Sequence, residues 1–197
     1  MLTRVIPTSY SRNSVFEYSN MERALTNIDS TTYGTVSTDD HAHAWQFLFT
    51  GFNFSKIPFN AKVSEISIAV KATSMNENRN VSFYVSLIHQ GSSKLTNLAY
   101  NSVATYYVGL PSGVTFDDIR NPDKRFGITF KFDVGEGDAS ARIYGMEVDV
   151  NWEPADMYGI KKNGKWYPTT PYKKENGVWV KQTDLDNLFD SEYIKKG

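Results

Sequence analysis

Alternation of apolar and polar residues with a period of two is the feature that most constrains the fold of this chain. In residues 142–153 every second residue is apolar: Tyr144, Met146, Val148, Val150 and Trp152. The residues between them are polar: Glu147, Asp149, Asn151 and Glu153. Four further apolar faces follow the same rule: Phe126, Ile128, Phe130, Phe132 and Val134; Val81, Phe83, Val85 and Leu87; Trp45, Phe47 and Phe49; Ile66, Ile68 and Val70. This pattern is typical of strands with one buried side and one solvated side.

The remaining segments complete an all-β pattern. Weaker strands are predicted at residues 31–38 and 106–110, and residues 116–122 favour one short helical turn. Turn-rich segments separate the strands, as at residues 74–80 and 135–138. Seven or eight strands without a long helix are the number expected for an antiparallel β-sandwich domain. The sequence therefore predicts an antiparallel β-sandwich, jelly-roll-like, with a small C-terminal β-hairpin appendage.

The predicted organisation has three parts. Residues 1–30 are assigned to an N-terminal arm, residues 31–153 to the sandwich, and residues 154–197 to a hairpin repeat and tail. The second boundary follows a shift in composition, because lysine outnumbers the acidic residues after residue 157. Residues 183–193 place Leu185, Leu188 and Phe189 at helical spacing, which fits either a docking helix or a frayed end.

The tail contains a short internal repeat, in which residues 160–167 are echoed by residues 173–180. Each copy centres on an Asn-Gly pair, the strongest short signal for a two-residue hairpin turn, and places a tryptophan two residues after the glycine. Isolated hairpins are marginally stable, so their aromatic residues are expected to pack on a partner. The predicted partner-binding residues are Trp166, Trp179, Tyr167 and Tyr172.

Three clusters could carry chemistry, and each has a plainer interpretation. His41 and His43, with Asp39 or Asp40, could share a metal ion, or they could lie in a polar loop. The acidic residues of 133–138 could hold calcium, or they could form a hairpin turn. Asp117 and Asp118 could be a catalytic carboxylate pair, although a capped turn is the favoured interpretation.

The function classes are narrowed mainly by composition. The chain has no cysteine, which excludes disulfides, thiolate metal sites and cysteine nucleophiles. A formal net charge of -1 provides no basic field, so neither a nucleic acid nor a membrane surface is an expected partner. No nucleophile elbow, phosphate-binding glycine loop or His-Glu-x-x-His motif is present. We therefore expect no enzymatic activity, no catalytic residue, no metal site and no cofactor. The first residues of the chain do not have the apolar pattern that predicts a secretory signal.

Residues 45–66 resemble a module of tailed-bacteriophage virion structural proteins. In that module a strand is followed by a Phe-x-Phe-Ser-x-Ile-Pro-x-Asn-Ala turn, here Phe52 to Ala61, and then by a strand of alternating Val and Ile. Residues 116–119, 126–128 and 144–152 resemble its second half, so the resemblance spans roughly residues 25–153. The tail copies are similar to Lys-x-Asn-Gly-x-Trp repeats at the ends of such proteins. The first thirty residues have no counterpart in this resemblance.

The resemblance implies a structural component of a tailed-phage virion, either an accessory capsid decoration or head fibre, or a tail or baseplate protein. Such a protein would be made in the host cytoplasm, reside in the virion and contact other virion proteins, as a homo-oligomer with a trimer as the favoured state. The alternative is a carbohydrate-binding module for adhesion to a host-surface glycan. Its stacking platform would draw on Tyr10, Tyr18, Tyr33, Tyr100, Tyr106, Tyr107, Trp166 and Trp179. A glycan-degrading enzyme on the same architecture is the third hypothesis.

Overall fold

The protein was analysed as a computed structural model. It describes residues 1–12, 16–38, 45–59, 61–77, 80–87, 91–132, 138–154, 159–162, 165–168, 172–175 and 178–181. For Arg12, Trp45 and residues 159–181 the description covers the backbone alone. The chain divides into two compact units, Met1–Glu153 and Pro154–Gly197.

The first unit is an antiparallel β-sandwich, as the alternation predicted. Its described strands are β1 (Leu2–Val5), β2 (Ser9–Arg12), β3 (Phe16–Ser19), β4 (Gly34–Thr38), β5 (Trp45–Thr50), β6 (Lys62–Ser74), β7 (Val81–Leu87), β8 (Gly91–Ser92), β9 (Thr96–Asn97), β10 (Ala104–Val108), β11 (Gly127–Phe132) and β12 (Ala139–Glu153). Its described helical segments are α1 (Phe116–Arg120) and two 3-10 turns, Met21–Arg23 and Pro122–Lys124. In the described part of the chain, no helix has the length and apolar character needed to cross a membrane.

The first sheet has the strand order β10-β6-β12-β4-β3 within the described residues. The long strand β12 pairs with β6 along one edge, while β4 and β1 share its other edge. The second sheet has the order β2-β5-β11-β7-β8, and β9 also pairs with β7. All the pairs between these strands are antiparallel, and most join strands that are distant in sequence.

The core lies between the inner faces of the two sheets, where the predicted apolar faces meet. The alternating residues of β11, β7 and β5 are fully buried: Ile128, Phe130, Phe132, Val81, Phe83, Val85, Phe47 and Phe49. Their rings make edge contacts, with the centroids of Phe49 and Phe130 5.7 Å apart. Such contacts add specificity to a core whose stability comes mainly from apolar burial. Trp45 shares the predicted face of β5, but its side chain lies outside the described residues.

Residues 1–30, predicted to be an arm, contribute strands to both sheets. β1 pairs with β12 in the first sheet, β2 pairs with β5 in the second, and β3 returns to the first beside β4. The following segment crosses the edge of β12, where the amide of Met146 donates to the carbonyl oxygen of Thr26 over 2.9 Å. The alternation of apolar and polar residues was not recognised in these strands because they are short. A strand of four residues has only two side chains on each face.

A β-bulge in β12 changes the predicted face assignment. The pairing with β6 shifts register between Ile143 and Gly145, so Ile143 and Met146 are both fully buried. Tyr144, predicted to share a face with Met146, instead lies 5.2 Å from the ring of Tyr33. One extra residue in a strand reverses the side on which later residues lie, so strict alternation fails at this point.

Glu147 was predicted to be solvated, and the structure buries it at 2% exposure. The Nε of Arg4 lies 3.3 Å from its carboxylate, and the amide of Ile28 donates to the same carboxylate over 3.3 Å. Arg4 also contacts Asp149 and Asp29 at 3.2 Å each. Burial raises the pKa of Glu147 because the charged form loses hydration, and the Ile28 amide and Arg4 oppose this shift in part. The hydrogen bond to Asp149 raises the pKa of Arg4. This cluster fixes the N-terminal segment on β12.

The second unit contains two separate hairpins. Strands β13 (Gly159–Lys162) and β14 (Lys165–Pro168) pair antiparallel, as do β15 (Tyr172–Glu175) and β16 (Val178–Lys181). The predicted hairpin strands are therefore present, while both Asn-Gly pairs and the segment 183–193 lie outside the described residues. That the two units are independent domains stays a prediction.

Candidate functional site

An open cleft of about 1190 Å³ lies where β5 ends and where β2 and β11 begin. Its lining includes Thr8, Ser11, Leu48 and Thr50, which lie in or next to these strands. Residues of α1, of the 3-10 turn after it and of the loop between β5 and β6 also line it. Concave sites of this size are typical of small-ligand binding.

The loop of the cleft is the segment that carried the resemblance to virion proteins, and local chemistry shapes it. Gly51 has φ 79°, and a Cβ there would lie 2.3 Å from the Oγ1 of Thr8, so both backbone conformation and space require glycine. The side-chain oxygen of Asn53 accepts from the amide of Ser55 over 2.9 Å, which is an Asx turn. Ile57 is buried and anchors the turn in the core.

The favoured interpretation of Asp117 and Asp118 as a capped turn is confirmed. Thr115 is the N-cap of α1, and the amide of Asp118 donates to its hydroxyl oxygen over 3.3 Å. The carboxylate of Asp118 accepts from the Thr115 amide over 2.8 Å, which completes a capping box. Asp117 forms an ion pair with Arg120 at 2.7 Å. The two carboxylates therefore have different partners, and both serve the helix.

Arg120 connects α1 to the loop between β5 and β6. Its guanidinium donates to the carbonyl oxygen of Phe59 over 2.8 Å and to that of Pro58 over 3.5 Å. Its guanidinium carbon also lies 4.1 Å from the centroid of the Phe59 ring. Phe59 is nevertheless 86% exposed, the largest exposure among the described large apolar residues. The guanidinium of Arg120 thus covers one face of the Phe59 ring, and the rest of this ring is exposed to solvent beside the cleft.

Four further phenylalanines near the cleft pack against one another. Phe54 lies 5.6 Å from Phe116 and 6.0 Å from Phe126, and Phe52 lies 5.1 Å from Phe126, all in edge-to-face geometry. Phe54, Phe116 and Phe126 are buried, whereas Phe52 is half-buried. The contacts join the loop, α1 and the start of β11 in one packed aromatic layer, from which Phe52, Phe54 and Phe126 line the cleft.

Polar side chains complete the lining. The Asn121 oxygen accepts from the amide of Asp123 over 3.0 Å, and the Asn53 oxygen is used in its own turn. Among the residues that the structure describes, the amide nitrogens of Asn53 and Asn121 donate to no protein acceptor. Arg125 also lines the cleft, and no ion pair to it is found in the described ranges. The cleft thus combines an exposed ring with free hydrogen-bond donors.

Two predicted chemical clusters lie outside the described residues. These are the Asp39 to His43 segment and residues 133–137; Asp138, next to the latter, is exposed. Across the described ranges, no group of three or more His, Cys, Asp or Glu residues could hold a metal ion.

The predicted tyrosine platform is not one surface. Tyr10 stacks on Phe47 with a centroid distance of 5.4 Å, and the Tyr106 hydroxyl accepts from the Ala99 amide over 2.6 Å. Tyr18, Tyr100 and Tyr107 are exposed. None of these tyrosines lines the cleft. Tertiary contacts that the sequence does not display decide which aromatic side chains remain accessible.

The predicted partner-binding residues lie in the hairpins of the second unit. Trp166 and Tyr167 belong to β14, Tyr172 to β15 and Trp179 to β16. Their backbone pairing is described and their side chains are not, so their role stays a prediction.

Sequence reasoning missed Phe59, Arg120 and Arg125. One signal was available for Phe59: an aromatic residue between Pro58 and Asn60 lies in a reversal of the chain, where a large apolar side chain has no strand face to pack on. Arg120 and Arg125 flank a short helical turn and gave no signal of their own.

No protein-family model matches the chain, and no match was found among curated proteins. Solved structures of low similarity were found. PfGH50B has 12% identity and a TM-score of 0.45, and the match covers 75% of this chain but 23% of that one. A family 11 carbohydrate-binding module from Clostridium thermocellum, in complex with a mixed-linked tetrasaccharide, has 12% identity and a TM-score of 0.37, with 71% and 86% covered. The enzymatically active domain of tailspike protein 4 of bacteriophage CBA120 has 13% identity and a TM-score of 0.39, with 77% and 19% covered. At these identities and TM-scores, the matches do not bear on what this chain binds.

Proposed function

We propose that the sandwich is a carbohydrate-binding module whose ligand lies in the cleft beside Phe59. The observation that carries this proposal is a ring that is 86% exposed yet held in place by the guanidinium of Arg120. An exposed aromatic ring in a fixed orientation can stack on the apolar face of a sugar without a large loss of side-chain entropy.

The remaining lining suits the polar edge of a sugar. The amide nitrogens of Asn53 and Asn121 can donate to ring or hydroxyl oxygens, and the hydroxyl of Ser11 can donate or accept. The phenylalanine layer below them keeps the site in one shape, because its rings are packed against each other. The cleft is open, which suits a chain of sugar units better than a single enclosed one. Binding without turnover is the proposed activity.

The test is a glycan array or a polysaccharide pull-down with wild type, Phe59→Ala and Tyr107→Ala. Tyr107 is the matched control, since it is an aromatic residue of 69% exposure in β10 and does not line the cleft. Phe59→Ala is expected to lose binding by about tenfold or more, as an aromatic contact of roughly 1.5 kcal/mol or more is removed. Tyr107→Ala should bind as wild type does. Binding that survives in Phe59→Ala and is lost in Tyr107→Ala would overturn the proposal.

A structural role in a tailed-phage virion is the second candidate, and the paired hairpins favour it. Trp166 lies opposite Lys161 in the first hairpin, and Trp179 lies opposite Lys174 in the second, so the repeat places the same pair at equivalent positions. Two equivalent elements can contact two equivalent partner sites, and linked weak contacts multiply in affinity. This role is compatible with glycan binding by the sandwich.

In this role the chain is incorporated in the particle, assembles as a homo-oligomer and contacts other virion proteins through Trp166, Trp179, Tyr167 and Tyr172. The experiment is mass spectrometry of purified particles, with wild type and with Trp166→Ala/Trp179→Ala in the full chain. Incorporation of wild type with loss of the double variant supports the role. Particles that lack the wild-type polypeptide overturn it.

A further inference from the structure

The basic residues in and beside the cleft differ in whether a carboxylate of the protein pairs with them. Arg120 is paired with Asp117 at 2.7 Å, and it donates to the carbonyl oxygens of Phe59 and Pro58. Its side chain is only 12% exposed. The donors and the charge of Arg120 are therefore occupied by the protein. Lys124, on the same turn, lies 3.5 Å from Asp118 and is paired as well.

Arg125 is the exception among the basic residues of this region. It is exposed and lines the cleft, and in the part of the chain that the structure describes no carboxylate pairs with it. Because the charges of Arg120 and Asp117 cancel, the cleft carries one uncompensated positive charge at Arg125. A guanidinium presents several donors in one plane, the arrangement that matches a carboxylate.

The backbone at Arg125 gives an independent observation. The residue ends the 3-10 turn Pro122–Lys124 with φ 44° and ψ 57°, in the left-handed region. Glycine or asparagine is usual at such a position, because a Cβ there is unfavourable. The backbone of Arg125 is fixed in the turn by one hydrogen bond, since its amide donates to the Pro122 carbonyl oxygen over 3.3 Å. Strained positions of this kind concentrate at ligand sites.

We infer that the cleft binds an acidic glycan, with the carboxylate of a uronate-type sugar on the guanidinium of Arg125 and a neighbouring sugar ring on Phe59. This inference rests on the proposed glycan-binding function and adds the class of ligand to it. Arg125 selects for charge, and Phe59 supplies stacking that does not depend on charge.

The experiment measures binding of polygalacturonate, alginate and hyaluronate oligosaccharides by calorimetry at low salt. Each oligosaccharide is paired with its carboxyl-reduced form, in which the carboxylates are converted to primary alcohols and the sugar chain is otherwise kept. The full chain is tested as wild type, Arg125→Gln, Phe59→Ala and Arg23→Gln. Arg23→Gln is the matched control, because Arg23 is an exposed arginine that does not line the cleft.

Wild type is expected to bind at least one acidic oligosaccharide about tenfold more tightly than its reduced form, as one charge-assisted contact allows. Arg125→Gln should bring this ratio close to one, because it weakens binding of the acidic form far more than binding of the reduced form, whereas Arg23→Gln should leave the ratio as in wild type. Phe59→Ala should weaken both forms.

The opposing results separate the two proposals. Equal affinity for both forms in wild type, or an equal loss of the ratio in Arg23→Gln and Arg125→Gln, overturns the inference about charge and leaves glycan binding in place. If wild type binds neither the acidic nor the reduced members of the panel, the inference about charge is overturned, and binding of any other sugar on the glycan array decides the proposed function by itself.

Discussion

Arg120 holds Phe59 in two ways at once: its guanidinium carbon lies 4.1 Å from the ring centroid, and one nitrogen donates to the Phe59 carbonyl oxygen over 2.8 Å. The side chain and the backbone of the same residue are therefore fixed by one group. Since Arg120 is itself fixed by Asp117, the orientation of the exposed ring depends on α1. This relationship links the short helix to the function proposed for the cleft.

Arg120→Lys is expected to weaken glycan binding by roughly two- to fivefold, which corresponds to about 0.5–1 kcal/mol for an exposed cation–π contact. Lysine keeps the charge but cannot stack as a plane or donate in a fork. A double-mutant cycle of unfolding free energies with Phe59→Leu should give a coupling of about 0.5–1 kcal/mol. Additive effects would contradict the contact.

Gly145→Ala is expected to destabilise the sandwich by about 1–3 kcal/mol or more, because its Cβ would lie 2.1 Å from the carbonyl oxygen of Asn27. The obstacle is backbone and cannot move aside as a side chain would. Gly109→Ala is the control, since no atom lies within 4 Å of its added Cβ. Urea unfolding of both variants checks this; equal midpoints would show that residues 26–27 do not lie against β12.

The β-bulge between Ile143 and Gly145 is also the point in β12 at which alternation no longer predicts the buried face correctly. The core faces of β7 and β11 followed from alternation alone, because the pairing of these two strands has no shift of register. Alternation cannot reveal an extra residue, so it placed Tyr144 with Met146. It also placed Glu147 in solvent, because burial of Glu147 depends on Arg4 and Ile28, which are more than a hundred residues away in sequence.

The sequence predicted two of the turns that form the cleft, but it did not predict that they come together. The turn that begins at Phe52 was implied by the resemblance to virion proteins, and the capped turn at Asp118 followed from local chemistry. That Arg120 reaches across to Phe59 follows from packing between segments 61 residues apart, which no local pattern encodes. Binding surfaces of this kind become visible only once the tertiary structure is known.

Glu147→Gln is expected to become more stable relative to wild type as the pH rises. Burial raises the pKa of Glu147 in the folded protein above the value of about 4.3 expected in the unfolded chain. Below the unfolded pKa the carboxyl is protonated in both states, and the stability linked to it is fully present. That stability is lost as the pH rises through the folded pKa, because the folded state must then bury a charge.

Glutamine carries no such dependence, so the difference in unfolding free energy, wild type minus variant, should fall as the pH rises above about 4.3, the pKa of glutamate in an unfolded chain. Urea titrations at a series of pH values measure it. A difference that rises over this pH range would mean that Arg4 and the Ile28 amide outweigh the loss of hydration, and the direction of the shift would be wrong.

Arg125→Gly should remove the charge from the cleft without loss of stability, because glycine adopts φ 44° without the cost of about 1 kcal/mol that a Cβ incurs in the left-handed region. Part of this gain is offset by the greater freedom of glycine in the unfolded chain. The reverse change at another position of positive φ is Gly113→Ala. There φ is 78° and no atom lies within 4 Å of the added Cβ, so strain alone acts.

We expect Gly113→Ala to lose about 1 kcal/mol and Arg125→Gly to lose none, with thermal unfolding of the two variants as the measurement. If Arg125→Gly unfolds at a clearly lower temperature than wild type, the Arg125 side chain stabilises the sandwich itself. The left-handed backbone would then be explained by stability, and the strain would no longer support a role in binding. An unchanged or higher unfolding temperature, together with loss of the acidic-glycan preference, would show that this arginine is kept for its ligand.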